Sequence, residues 1–528
     1  MVPITSFPPG TVLLEDRQAD KLILHPTPSD DPNDPLNWST WRKSLNFGLA
    51  LFYVLITFVM LDIIGVGLDG YINDIGLTFE LYNDACAMNY AGLALGCIFF
   101  NPFVHKYGRR PFYIISSVIQ LAAAIWSAAL NTPGELIAVN FVSGIGGAIS
   151  ETIVMISIVD MFYLHQHARM NGLFLMIQSI GAFGGPVAAG FIVEAQGWRW
   201  MWWWTAIFLG VNLALVLFLF EETKYIPTPF NQELSRRSSS PSDENQTITV
   251  ADKEAKPLNQ NQPPSTENPI PPLKPYSKRL ALYTKTSTPI GHHFYQPPIM
   301  FFTFPAVTYA AIIYGSLLAW YAVVTSAASF FLIEEPYNFS PANRGLFSIA
   351  GGVGTILGII TGAPLSDWSI VWLAKRNKGI YEPEMRLWIG IPGALFVSGG
   401  LLMFGVSLAK AGHPWPVLAI GAGLFGYGFS ISGDIALTYL TDCYEDILAD
   451  ALVSVIFVRN GISVIIMFVF TPWIENLGIQ NMFVSAAMIS LITLIAPIIV
   501  LRYGKKARVR VAGKYRFFAS RQPIRRAV

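Results

Sequence analysis

The chain has 528 residues, 53% of them hydrophobic and only 13% charged, about half the charged share of an ordinary soluble domain. Its 35 Lys and Arg against 34 Asp and Glu leave a net charge of +1, which gives no electrostatic footprint for nucleic acid. A soluble chain of this length would divide into several domains with polar surfaces, whereas here the few charges gather between long apolar runs.

Residues 1–43 are polar, acidic and rich in proline. They form no signal peptide, so the first apolar helix serves as its own insertion signal. A bilayer core needs roughly 20 apolar residues per helix. Runs that qualify are 44–68, 86–106, 112–131, 135–160, 169–194 and 200–221, then 302–332, 345–373, 387–409, 415–441, 449–473 and 479–502. Six runs, a break and six more predict an all-α polytopic membrane protein with twelve transmembrane helices in two pseudo-symmetric halves, 44–221 and 301–503. The break, 222–300, carries Ser238, Ser239, Ser240, Pro271 and Pro272 among many polar residues and reads as a disordered linker. Arg236-Arg237-Ser238-Ser239 within it has the form of a basophilic kinase site. A basic tail, 504–528, closes the chain.

Orientation follows from Lys and Arg in the short loops. Arg42 and Lys43 precede span 1, Lys106, Arg109 and Arg110 separate spans 2 and 3, and Arg169 lies between spans 4 and 5. Lys375, Arg376 and Lys378 separate spans 8 and 9, and Lys505, Lys506, Arg508 and Arg510 follow span 12. Loops of the other set are acidic, with Asp69, Asp74, Glu80 and Asp84 in the first and Glu334 and Glu335 in the seventh. Both termini and the linker are therefore expected in the cytoplasm, with the plasma membrane as the expected location. Asn338-Phe339-Ser340 is then an outward-facing glycosylation sequon, followed by Pro341.

Two motifs stand out. In Asn101-Pro102-Phe103-Val104-His105-Lys106-Tyr107-Gly108-Arg109-Arg110-Pro111, a turn at Gly108 flanked by cations joins two helix ends, where it can bind exposed carbonyls or carboxylates; simple positive-inside anchoring explains it equally. In Gly181-Ala182-Phe183-Gly184-Gly185-Pro186-Val187-Ala188-Ala189-Gly190, small residues allow close backbone approach, and Pro186 bends the helix. On these residues the chain resembles the major facilitator superfamily, in particular the fungal twelve-helix drug:proton antiporters. The first stretch is similar to the family's motif A, and the second, with Gly185 and Pro186, to its antiporter motif C. Asp31–Trp38 and Gly197-Trp198-Arg199-Trp200 resemble segments of fungal members. Glu382–Leu387 and Arg459-Asn460 resemble the branch with polyamine and cation transporters. There are departures: the leading Gly of motif A is Asn101 and its Asp is His105, and the span 4 Arg of motif B is Asn140. Asp367 with Lys375 and Arg376 looks like a fuller motif A in the second half.

Charges inside apolar spans are the best site candidates, because each costs several kcal/mol unless paired or wet. Glu151 in span 4 and Asp434 in span 10 follow matching glycine runs in the two halves; two such carboxylates suit a cationic solute or protons, or each pairs with a neighbour. Asp62 in span 1 is a third acid. Arg459 in span 11 pairs with Asp434 or Asp442, or faces the cavity. Gln178, Tyr427, Asn89, Tyr90, Tyr309, Tyr314, Trp320 and Tyr321 can line a cavity or simply pack.

No Gly-x4-Gly-Lys-Ser/Thr loop, HExxH, G-x-S-x-G or His/Cys cluster is present. No enzyme, cofactor, metal or nucleic-acid partner is expected. The resemblance implies a monomeric, proton-coupled secondary transporter acting by alternating access, exporting a small organic molecule such as a drug or secondary metabolite. Uptake of a polyamine or other organic cation, and a transporter-like nutrient sensor, are the alternatives.

Overall fold

The computed structural model describes residues 10–13, 31–225, 273–284, 290–377, 380–410 and 414–521. Lys378, the serine-rich part of the linker and the Arg236–Ser239 string lie outside the described residues.

Eleven described stretches are long and apolar enough to cross a bilayer, and the last, Glu445–Ala519, holds two spans. Its helix Leu448–Leu494 turns at Gly478, where φ is 73°, a left-handed backbone that glycine adopts without a Cβ penalty. Twelve spans result, as the apolar runs predict. Spans 1 to 4 are Thr40–Asp62, Phe79–Tyr107, Arg110–Ala128 and Pro133–Met161. Span 5 joins Leu164–Ser179, Ile180–Gly184 and Gly185–Gln196, and span 6 is Trp198–Leu219. Spans 7, 8 and 10 are Pro305–Phe331, Pro341–Arg376 and Trp415–Cys443, and span 9 is Gly390–Ala409 after the 3-10 turn Pro383–Ile389. Spans 11 and 12 are the two arms of Leu448–Leu494, followed by the helix Pro497–Ala519. Because the spans alternate in direction, Thr40, Tyr107, Leu219, Pro305, Arg376 and Leu448 share one end, called here the terminal end; the opposite one is the far end.

Local chemistry starts these helices where the sequence allows. Ser39, Thr78, Thr132 and Ser340 each accept a backbone N–H in the first turn of spans 1, 2, 4 and 8, satisfying donors that have no partner within the helix. Pro133, Pro305 and Pro341 sit at first-turn positions, where a missing N–H costs nothing. Outward faces carry Phe218, Phe302, Ile465 and Ile492, all well exposed, as befits a surface facing lipid.

Each half has its own core. In the second half it runs from Met300 to Phe518; in the first it divides into a far-end and a terminal-end cluster. The clusters that cross between halves are small: Leu93, Cys97 and Ala148 with Val453 and Ile456, and Ala87 with Ala322 and Met467. Matching pairs of spans pack through glycine. A Cβ on Gly144 would lie 2.1 Å from the Asn89 carbonyl in span 2, and one on Gly354 would lie 1.9 Å from the Gly423 carbonyl in span 10.

Two details depart from the sequence reading. Helix His292–Thr303 begins inside the stretch assigned to the linker and runs past its end at 300; burial of His293, Gln296 and Met300 holds it in place despite Pro297 and Pro298. Val12 and Leu13 pair in antiparallel register with Tyr381 and Ile380, a two-residue ribbon on an otherwise helical chain.

Candidate functional site

Spans 4 and 11 face each other across the axis between the halves. Arg459 forms an ion pair with Glu151, and the Asn460 amide donates to the other carboxylate oxygen at 3.4 Å. Both charged residues are buried, and the guanidinium lies 5.2 Å from the centre of the Tyr314 ring. The expected partners of Arg459, Asp434 and Asp442, are thus replaced by an acid of the opposite half. Asp442 is taken by Arg386, Nε to Oδ2 2.6 Å, and by the Tyr381 hydroxyl.

Asp434 has a different setting. It is half-buried, with Thr438 as its hydrogen-bonding neighbour, and the charges that act on it are those of Arg386 and Asp367. Among the described residues no cation forms an ion pair with it. Its neighbour Gly433 packs against Tyr314, so one tyrosine ring stands between Arg459 and span 10.

Toward the far end, Asp62 accepts a hydrogen bond from the Tyr321 hydroxyl of span 7 at 3.1 Å. Tyr321 meets Phe183 of span 5 edge-on at 5.8 Å and Phe429 of span 10 at 6.0 Å, and the Asp62 charge also acts on Tyr90 of span 2. No Lys, Arg or His forms an ion pair with Asp62 among the described residues. Five spans from both halves therefore place one carboxylate among aromatic rings.

Gln178 is half-buried on span 5, just before the π-turn Ile180–Gly184. Tyr427 stands at the junction of spans 8, 9 and 10, where it meets Phe396 edge-on at 5.0 Å and takes a hydrogen bond from Thr361 at 3.2 Å. Asn140 accepts the Asn89 amide at its carbonyl and returns its own amide to Leu136.

At the terminal end, Gly108 has φ 104°, and a Cβ there would lie 2.3 Å from the Glu222 carboxylate. Backbone conformation and space both require glycine. Glu222 accepts the backbone N–H groups of Arg109 at 3.0 Å and of Arg110 at 3.2 Å, while the Arg109 side chain pairs with Asp160, Nε to Oδ2 2.9 Å. Arg110 bonds the Leu217 and Leu280 carbonyls. Lys106 lies 5.8 Å from the Tyr107 ring, and its carbonyl accepts Lys224 Nζ at 2.8 Å. Burial raises the Glu222 carboxyl above its usual range and pushes the Lys224 ammonium down to about 8. Glu222 and Asp160 thus hold the loop although His105 stands where the motif has its acid. In the second half, Asp367, 73% exposed, reaches Arg386 at 3.5 Å, and Arg376 lies over Trp372 at 3.8 Å. The buried counterpart there is Arg508 with Glu384, 2.6 Å.

At the far end, Gly185 and Pro186 join spans 1, 5 and 8. A Cβ on Gly185 would lie 3.1 Å from Val59 Cα, and one on Gly345 would lie 2.4 Å from the Pro186 carbonyl. Pro186 has no N–H for the preceding turn, and Ile180–Gly184, ending two residues before it, adopt π geometry. Ser348 donates to the Phe183 carbonyl at 2.8 Å, Arg344 pairs with Asp69, and Asn83 bonds both Ser326 and Thr471. Asn338 is exposed in the loop between spans 7 and 8. Sequence reasoning missed Arg344 and Glu222. Their signals were faint: a cation at the start of a span on the acidic side, and an acid pair, Glu221-Glu222, directly after an apolar run.

Two bundles of six spans, joined by small buried apolar clusters and a few polar ties, are the architecture of a membrane transporter for small molecules, and the family match bears this out. The chain belongs to the Major Facilitator Superfamily, whose family model matches residues 50–444. It is 29% identical to Protein HOL1 of Saccharomyces cerevisiae over 92% of this chain and 90% of that one. It is 25% identical to Efflux pump radE of Floropilus chiversii over 94% and 86%. Its fold matches the proton:xylose symporter XylE of E. coli with a TM-score of 0.56 at 12% identity, over 87% of this chain and 96% of that chain.

Proposed function

We propose that the protein is a proton-coupled secondary transporter, working by alternating access, for a small organic molecule that carries a positive charge. One observation supports this above the others: Asp62 has no ion-pairing cation among the described residues and stands among Tyr321, Tyr90, Phe183 and Phe429. A carboxylate can neutralise an ammonium group while ring faces attract it. The site draws on both halves, so a bound solute would couple them. Asp434, half-buried and without an ion pair among the described residues, is the proposed proton carrier, and Gln178 of span 5 a proposed polar contact for the solute.

Export of a cationic drug or secondary metabolite is the first reading of direction, supported by the likeness to a relative named as an efflux pump. Uptake of a polyamine or similar cation is the second, favoured by the acid-and-aromatic set around Asp62. The cation-rich terminal end is proposed to face the cytoplasm of a cell bounded by the plasma membrane, which leaves Asn338 outside for glycosylation.

The test is flux in proteoliposomes under an imposed pH gradient, with labelled spermidine, a monovalent organic cation and an organic anion as probes. Cation flux that follows the gradient, and that is diminished in Asp62→Asn through a raised KM, is expected. Anion flux, or cation flux undiminished in Asp62→Asn, overturns the reading. Binding without flux would leave a sensor.

A further inference from the structure

At the terminal end a second group of polar side chains joins the halves, and the transport reading does not use it. His105 ends span 2 in the first half. His293 comes from the helix His292–Thr303 that leads into span 7, and Asp450 lies in the first turn of span 11. The rings of His105 and His293 stack with centres 4.7 Å apart, and His293 Nδ1 lies 3.0 Å from the Asp450 carboxylate. One ligand atom from each of the three residues falls within 4.8 Å of the other two. His293 and Asp450 are 4% and 0% exposed, respectively, and the buried Nε2 of His105 has no hydrogen-bond partner among the described residues.

We propose that His105, His293 and Asp450 form a site for a zinc-class divalent transition metal ion that clasps the two halves at the terminal end. Two neutral imidazoles and one carboxylate are a donor set that such ions prefer, with water in the fourth position. Metal–ligand bonds of about 2.0–2.2 Å put tetrahedral ligand atoms roughly 3.3 Å apart. The His293–Asp450 separation meets that spacing already, whereas the His105 ring must turn out of its stack on His293 and close in from within 4.8 Å so that its in-plane lone pair reaches the ion. The ion adds two positive charges beside one carboxylate, and a neighbouring cation, Lys224, sits on the His105 carbonyl at 2.7 Å. Metal bonds to the imidazoles must therefore carry the affinity. Because His105 belongs to span 2 and Asp450 to span 11, a bound ion would fix a contact that has to open whenever the terminal mouth widens.

The experiment uses the full chain, purified without a polyhistidine tag and titrated in detergent with Co2+ and then Zn2+. A saturable 1:1 tetrahedral Co2+ absorption band, displaced by Zn2+, is expected. His105→Gln and Asp450→Asn should weaken it at least tenfold, and His167→Gln should leave it unchanged. Absence of a saturable band, or unchanged affinity in His105→Gln, overturns the site. Should Asp450→Asn not fold, His105→Gln decides alone, since that ring has no hydrogen bond to lose at Nε2 among the described residues. The readout is binding, so it stands whatever the transported solute is.

Discussion

Glu151 and Asp434 occupy matching spans of the two halves, after matching runs of glycine, yet their surroundings differ. Glu151 is buried and held by Arg459 and Asn460 of the opposite half; Asp434 is half-buried, with Thr438 beside it and no ion pair among the described residues. A duplicated scaffold has thus given one acid to a clamp and left the other open. Equivalent position in a repeat does not imply equivalent work, because a carboxylate's role is set by what the facing half offers it.

Substitutions at both acids test that contrast, and substitutions at Asp62 and Tyr321 extend it to the third acid. The largest effect should come from Arg459→Ala, which leaves Glu151 charged and buried with the Asn460 amide but no cation, a loss of about 3–5 kcal/mol. Thermal unfolding in detergent should show it, and the double variant with Glu151→Ala should recover most of the loss; strict additivity of the two would remove the clamp. Asp434→Asn should behave oppositely, keeping the unfolding temperature while solute flux ceases to follow an imposed pH gradient. Flux with normal pH response would return Asp434 to a structural role. Asp62→Asn should raise the KM for a cationic solute by a factor corresponding to about 1.5–3 kcal/mol, the worth of a bond to a charged group. Tyr321→Phe should do the least, about 0.5–1.5 kcal/mol on the same measurement, because the ring stays and only the hydroxyl bond to Asp62 is lost.

The twelve spans were legible because bilayer thickness translates directly into apolar length. The small-residue contact at Gly185 and Pro186 was also legible, since few sequences place a proline among so many glycines. Partners across the axis were not. Arg459 and Glu151 are separated by 308 positions, and periodicity within a span says which face is polar but not which span of the other half it meets. Glu222 escaped for a related reason: composition marks where an apolar run ends, but an acid that folds back onto the preceding loop looks the same as one in solvent. His293 was hidden by neighbouring prolines, which lower helical expectation but do not prevent a helix held by burial.

Val12 and Leu13 are stitched to Tyr381 and Ile380, and Arg508 bonds both Thr11 and Glu384 beside them. Segments from near both ends of the polypeptide are thereby moored to one loop of the second bundle. A fluorophore placed beside Thr11 or Arg508 would report on that bundle, and the first bundle needs a label in one of its own loops, such as 129–132. Between Leu13 and Asp31 run seventeen residues, enough to reach about 60 Å if drawn straight. By length alone, that number of residues sets no limit on how far the two bundles part and close.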